Sequence, residues 1–300
     1  MAVLRLRLDG PLDLARTLGP LRRGPGDATL RLAGQRAWRA TRTPDGPASL
    51  ALEVRGDELL AEAWGPGAER ALAGVAALAG LDDDRSGFVP RHALVADLDR
   101  RFRGVRIGRS AAVVEALVPA ILEQKVTGEE ARTAFQGLVR SLGEPAPGPA
   151  ELRLRLPPRP ERLAGLPYHD YHPFGIERRR AELVRRVAGR AAWFEAIVEL
   201  PIEEAYRRLT LLPGLGPWTA AEVAVRALGD RDALSVGDYH VPNLVSWALA
   251  GEPRGTDARM LELLEPYRPH RARVVRLLEA AGIRSPRYGP RMAPRRITSS

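Results

Sequence analysis

Residues 211–220 read Leu-Leu-Pro-Gly-Leu-Gly-Pro-Trp-Thr-Ala, and Asp238-Tyr239-His240 follow about twenty residues later. Gly214 and Gly216 flank one apolar residue, so the backbone can turn tightly there while Leu215 points inward and locks two helices together. Pro217 suits the first turn of the second helix, where its missing N–H would lack a partner anyway. Amides left open at such a helix start bind anions. For a chain of net charge +9 and pI near 10.7, DNA phosphate is the expected anion. Asp238 precedes an apolar stretch, Val241–Leu249, where an acidic residue ordinarily caps a helix. Capping and chemistry are compatible, because a helix N-terminus favours negative charge. Trp218 and Tyr239 bracket this carboxylate in sequence. A large aromatic is ordinarily core, but its face can also stack on an extruded base and attract a cationic one.

The ten-residue string followed by Asp-Tyr-His resembles the helix–hairpin–helix DNA glycosylases, and most closely the bacterial 3-methyladenine DNA glycosylase II family. The resemblance implies that Asp238 is the catalytic carboxylate and that Trp218 and Tyr239 line the base pocket. It implies DNA contacts at Gly214, Leu215, Gly216 and Thr219. It also implies a structural Na+ or K+ on the backbone carbonyls of Thr210, Leu212 and Leu215, and no cofactor for the chemistry. Bifunctional relatives carry a Schiff-base lysine two residues after the second glycine, where this chain has Trp218, as monofunctional enzymes do. Ile121-Leu-Glu-Gln-Lys-Val-Thr127 is similar to the family's Ile-Leu-Gly-Gln-x-Val-Ser segment, whose following loop wedges a side chain into the gap left by the flipped nucleotide. Gln124 then faces the widowed base. Lys125 stands where a relative has an apolar leucine; its stem could fill the gap while its ammonium reaches a phosphate.

Cleavage of an N-glycosidic bond builds positive charge on the sugar. A fixed carboxylate beside C1′ stabilises that charge by roughly a few kcal/mol. An alkylated purine is already cationic and needs no strong general acid to leave. The expected function is therefore a monofunctional glycosylase that flips alkylated purines out of duplex DNA and hydrolyses them off, in base excision repair. The expected partner is double-stranded DNA carrying a damaged base, bound by a monomer. One alternative is a non-catalytic helix–hairpin–helix DNA-binding protein, which would need neither Asp238 nor Trp218. The other is a strand-cleaving glycosylase for oxidised purines, which the missing hairpin lysine disfavours.

The expected fold is α+β: a small N-terminal antiparallel-sheet domain over 1–82, similar to one repeat of TATA-binding protein, and an all-α helix–hairpin–helix glycosylase domain over 83–300 with an Arg-rich tail. Leu4, Leu6 and Leu8 alternate with arginines as in a strand with one wet face. A short helix over 11–20 follows, then strands at Thr29–Leu32, Ala37–Thr43, Ala48–Val54 and Leu59–Trp64, and a helix at Ala68–Leu81. Ser110 is the expected N-cap of a helix running to Gln124 that Pro119 kinks. Thr127 and Glu130 have capping-box spacing and open a helix to Leu142. Residues 143–160 carry six prolines and read as a linker or extended loop. Helices follow at Glu177–Ala188, Ile202–Leu209, Trp218–Leu228, Val241–Leu249, Asp257–Leu264 and Arg271–Ala281, with C-cap glycines at Gly229 and Gly251. Trp247 is expected in the core, and Glu222 is expected to pair with Arg226 on a wet face.

With no cysteine, the chain has no thiolate metal site or iron–sulfur cluster. His169, Asp170 and His172 lack metal-ligand spacing. No apolar run is long enough to span a bilayer and the N-terminus lacks a signal-peptide core, so no membrane association and a cytoplasmic location are expected. Eight arginines against one glutamate over 271–300 suggest a tail that tracks phosphates, through Arg284, Arg287, Arg291, Arg295 and Arg296.

Overall fold

A computed structural model describes residues 2–286. Five antiparallel strands, β1 (Ala2–Arg7), β2 (Leu30–Ala33), β3 (Arg36–Thr43), β4 (Gly46–Arg55) and β5 (Glu58–Trp64), form one sheet in the order β1-β5-β4-β3-β2. The β4–β5 register sets Leu50 opposite Ala63 and Leu52 opposite Ala61, so one face is continuously apolar. Helix α1 (Leu14–Leu18) and the pair α2 (Ala68–Ala73) and α3 (Val75–Leu78) close over that face. Gly74 ends α2, so the expected single helix over 68–81 is two short ones.

The other face of the sheet meets the 143–157 segment, which is not a free linker. Pro145 bridges Arg155, the Arg155 N–H donates to Ala28 O at 2.9 Å, and Leu154 and Leu156 bury against Ala40 and Trp38. The prolines cost that stretch ladder donors without keeping it in solvent. The buried Arg39 on β3 pairs with Glu115 at 3.0 Å, and Thr41 Oγ1 bonds the same carboxylate. The N-terminal sheet is thus stapled to the helical part by charge as well as by packing.

The remaining chain is helical: α4 (Ala93–Arg101), α5 (Val113–Leu122), α6 (Gly128–Leu142), α7 (Pro160–Gly165), α8 (Arg178–Ala188), α9 (Ala191–Glu195), α10 (Ile202–Thr210), α11 (Pro217–Val223), α12 (Val241–Ala250), α13 (Asp257–Leu264) and α14 (Arg271–Ala280). The central α5, buried along its whole length, packs on α8, α9 and α11. Ser110 does not cap it. The helix starts at Val113, and the Glu195 carboxylate accepts the Val113 and Val114 N–H groups at 2.8 and 2.9 Å. Burial pushes the Glu195 carboxyl up, while those two N–H groups pull it down. The Thr127–Glu130 capping box on α6 forms with both reciprocal bonds. A second core joins α4, α12, α13 and α14 around Leu98, Val245, Met260 and Leu277.

Candidate active site

The hairpin joins α10 to α11. Leu215 is 3% exposed and packs in the main core with Leu183 and Leu209. Its N–H closes the turn on Leu212 O at 3.0 Å. Truncating it to alanine would cost about 2–5 kcal/mol. The two glycines serve different ends. Gly214 has φ +106°, and an added Cβ would press on Leu183 at 3.1 Å. Gly216 is extended, at φ −92° and ψ −178°, and a Cβ there meets open space. The tight turn thus needs glycine only at 214, and what Gly216 offers is an uncovered backbone.

Gln124 and Thr219 are joined, and neither is simply displayed outward. Gln124 Nε2 donates to Gly214 O at 3.0 Å and to Thr219 Oγ1 at 2.9 Å. Thr219 is 2% exposed, and its hydroxyl fastens the α5 terminus to the hairpin from beneath. Lys125, beyond that anchor, is exposed with φ +56°, a backbone state that costs a side-chain-bearing residue energy. Its two sequence neighbours in the helix end are held down, Gln124 on the hairpin and Glu123 on Arg23 at 2.9 Å. The lysine is therefore projected from a fixed base.

Asp238 lies at the start of α12. Its Oδ1 accepts the His240 and Val241 N–H groups at 2.6 and 2.9 Å, and its Oδ2 accepts the Trp218 indole N–H at 2.9 Å. The expected capping role is met by one oxygen of this carboxylate, and three donors in all hold it. The turn carrying it is pinned at both ends: Gly237 N donates to the Asp257 carboxylate at 3.0 Å, and Ser235 Oγ donates to Glu222 Oε1 at 2.5 Å. Glu222 does pair with Arg226, but on a buried face and not a wet one, with side-chain exposures of 13% and 16%. Both Trp218 and Glu222 stand on α11, one turn apart, so one helix face aligns the Asp238 loop. After Val223 the helix widens into a π turn, Ala224–Leu228, ended by Gly229 at φ +72°. Its freed Arg226 and Ala227 carbonyls accept the N–H groups of Ser110 and Ala111.

Tyr239 stands at the surface. Asp238 turns inward to Trp218, and the next side chain projects outward, 81% exposed, against the edge of His240. Trp247 is 37% exposed and not core. The 168–174 segment is a 3-10 turn anchored by the buried Tyr171, whose hydroxyl donates to Leu163 O at 2.7 Å. No group of three metal-ligating side chains occurs among the described residues, and no helix there is long and apolar enough to cross a membrane. Of the tail arginines, Arg287, Arg291, Arg295 and Arg296 lie outside the described residues. A cavity of about 290 Å³ behind the Asp238 loop, between α11, α14 and residues 17–23, was not foreseen from the sequence, since its walls come from distant segments.

A small antiparallel sheet with a helical body, a glycine hairpin and an aspartate at the following helix start define the fold of the helix–hairpin–helix DNA glycosylases. No family model matches the chain. It is 34% identical over 164 residues to a Mycobacterium tuberculosis protein described as a probable bifunctional transcriptional activator/DNA repair enzyme AlkA. That match covers 53% of this chain and 32% of the relative, so the chain spans about a third of the curated relative's length. Among solved structures it resembles the 3-methyladenine DNA glycosylase from Archaeoglobus fulgidus, with TM-score 0.76, 20% identity, and 92% and 97% of the two chains covered. It also resembles the Clostridium acetobutylicum 8-oxoguanine glycosylase/lyase, with TM-score 0.70, 14% identity, and 93% and 96% covered. The chain thus shares the fold of the helix–hairpin–helix DNA glycosylases and, over about half of its length, is similar in sequence to a protein described as AlkA.

Proposed function

We propose that this protein is a monofunctional DNA glycosylase of base excision repair that flips alkylated purines from duplex DNA and hydrolyses the N-glycosidic bond. The observation that carries the reading is the Asp238 carboxylate held by the Trp218 indole and two α12 amides. A carboxylate fixed in this way needs no reorganisation as positive charge develops on C1′. Water attacks C1′, and Asp238 orients it and accepts its proton. Trp218 occupies the hairpin position of the Schiff-base lysine, so the product is an unnicked abasic site. Lys125, on its left-handed backbone, fills the vacated stack, and the open backbone at Gly216 receives a phosphate. A Na+ or K+ on the Thr210, Leu212 and Leu215 carbonyls would help to hold that phosphate. The Leu212 carbonyl accepts one hydrogen bond, from Leu215 N–H, and an oxygen with two lone pairs can also face a cation.

The fold is shared with oxidised-purine enzymes, so the test is chemical. Duplexes each carrying one defined lesion are incubated with the protein, and the freed base is identified by mass. Release of alkylated purines with the strand left intact is the expected result. Release of 8-oxoguanine with strand scission, or of no base at all, would overturn the proposal.

A further inference from the structure

The base from which Lys125 projects is fixed by a residue of the sheet domain. Arg23 lies between α1 and β2, in a loop tied to itself and to α6. Its N–H donates to Asp27 Oδ2 at 2.7 Å, and Asp27 Oδ1 accepts the Thr29 N–H and hydroxyl at 2.8 and 2.7 Å. Its carbonyl accepts Gln136 Nε2 at 2.8 Å. The Arg23 side chain is 8% exposed and pairs at 2.9 Å with Glu123, a hundred residues on in sequence. Glu123 has no other cation within ion-pair distance among the described residues. Burial and the nearby Arg226 push the Arg23 guanidinium down, and Glu123 and Glu222 oppose them. A cation so enclosed keeps its carboxylate, because losing it would leave a bare buried charge. The same loop reaches the acid. Pro20 O accepts Arg226 Nε at 3.1 Å, Arg226 pairs with Glu222, and Glu222 Oε1 takes the Ser235 hydroxyl at 2.5 Å, at the start of the turn that carries Asp238. Residues 20–23 thus touch the mounting of the lysine on one side and that of the carboxylate on the other.

We infer that Arg23 is a positioning residue for Lys125, and that through it the sheet domain takes part in extruding the nucleotide. The inference rests on the glycosylase reading above. Arg23 acts through Glu123, two residues before the lysine, without touching the DNA. The lysine stem has many rotamers, and φ +56° is a disfavoured backbone state. With the end of α5 released, Lys125 would relax out of the left-handed region, and insertion would have to restore it. Extrusion from a paired duplex must break pairing and stacking, which an unpaired base has largely lost already. The contribution of Lys125, and of Arg23 behind it, is therefore greatest for a paired lesion. The tie from Pro20 to Arg226 sets the acid loop against the same segment, so the wedge and the carboxylate keep one spacing.

The test compares one lesion in two settings. The alkylated purine released fastest from the defined-lesion duplexes is placed opposite its Watson–Crick partner, or in an unpaired bulge of the same duplex. The readout is the ratio of the two single-turnover rates. Loss of folded enzyme lowers both rates alike and leaves the ratio unchanged. Lys125→Ala and Arg23→Met should each lower the paired-to-unpaired ratio by about 10-fold, a fraction of what misplacement by about 1 Å can cost. Arg23→Lys, which keeps a cation for Glu123, should restore most of it. The double variant should match Lys125→Ala alone, because Arg23 acts through that lysine, whereas the effects of independent residues would multiply. Glu123→Gln breaks the same pair from its more exposed side. It should reproduce the Arg23→Met ratio, alone and combined with Lys125→Ala, and it serves in place of Arg23→Met if that variant does not fold. An unchanged ratio in Lys125→Ala, in Glu123→Gln or in folded Arg23→Met overturns the inference and leaves a glycosylase, as does a double variant whose losses multiply. Release of no alkylated purine by the wild type overturns both.

Discussion

The indole Nε1 of Trp218 and Oδ2 of Asp238 are joined at 2.9 Å, across nineteen intervening residues that include most of α11 and its π turn. The hairpin is thereby tied to the carboxylate it precedes, so under the proposed function the turn that would meet a phosphate and the acid form one rigid arrangement. Asp238→Asn should lower base release by about 100-fold or more, the scale for losing a preorganised transition-state partner, and leave duplex affinity intact. Trp218→Phe removes only the indole donor, and a fall of about 10-fold is expected. Single-turnover release, alongside binding to an undamaged duplex, measures both. Near wild-type release by the Asn variant would remove Asp238 from the chemistry.

Because Trp218 stands at the Schiff-base position, borohydride should trap no covalent enzyme–DNA adduct, and the product strand should break only on later alkali treatment. A trapped adduct that mapped to Lys125, the one lysine of the chain, would contradict the monofunctional mechanism.

The hairpin glycines should separate folding from docking. Gly214→Val meets both a positive φ and the Leu183 side chain, so it should lower thermal stability. Gly216→Val meets nothing within the protein. It should melt like the wild type yet bind every duplex more weakly, damaged or not. A defect confined to damaged DNA would place the phosphate elsewhere.

His270 should make stability depend on pH. Its buried ring meets Ser86 O through Nε2 at 2.8 Å, and Nδ1 has no partner. Burial holds the imidazole below its ordinary value of 6.5, and the nearby Arg273 and Arg231 add to this against Asp83. The unfolded chain then binds the proton more readily. Stability is complete above pH 6.5 and falls as the pH drops below it toward the folded value. Urea unfolding between pH 7.5 and 5 should show this slope, and His270→Gln should flatten it. An equal slope in the variant would assign the dependence to other groups.

What was local in sequence was legible. The capping box at Thr127, the left-handed C-caps at Gly229 and Gly251, and the inward Leu215 all follow from short-range spacing. What was not legible was long-range. Glu195 caps a helix eighty-odd residues away, which no local pattern encodes. The outward turn of Tyr239 follows from the hydrogen bonds of its neighbour, and Thr219 is consumed by Gln124. The cavity behind the Asp238 loop is assembled from segments at opposite ends of the chain. The 143–157 stretch reads as a linker because its prolines outweigh the alternation of Leu152, Leu154 and Leu156, the local cue that it lies against a sheet.

That strap has a consequence for how the gene can be cut and recombined. A module boundary placed at residue 82 would leave the outer face of the sheet without its cover, since Leu154 and Leu156 are encoded within the helical part. A chimera that exchanges only the first 82 residues between relatives would inherit Trp38 and Ala40 from one parent and their lid from the other. The sheet and the strap form a single heritable unit, interrupted by α4, α5 and α6, and viable recombinants should carry both from the same source.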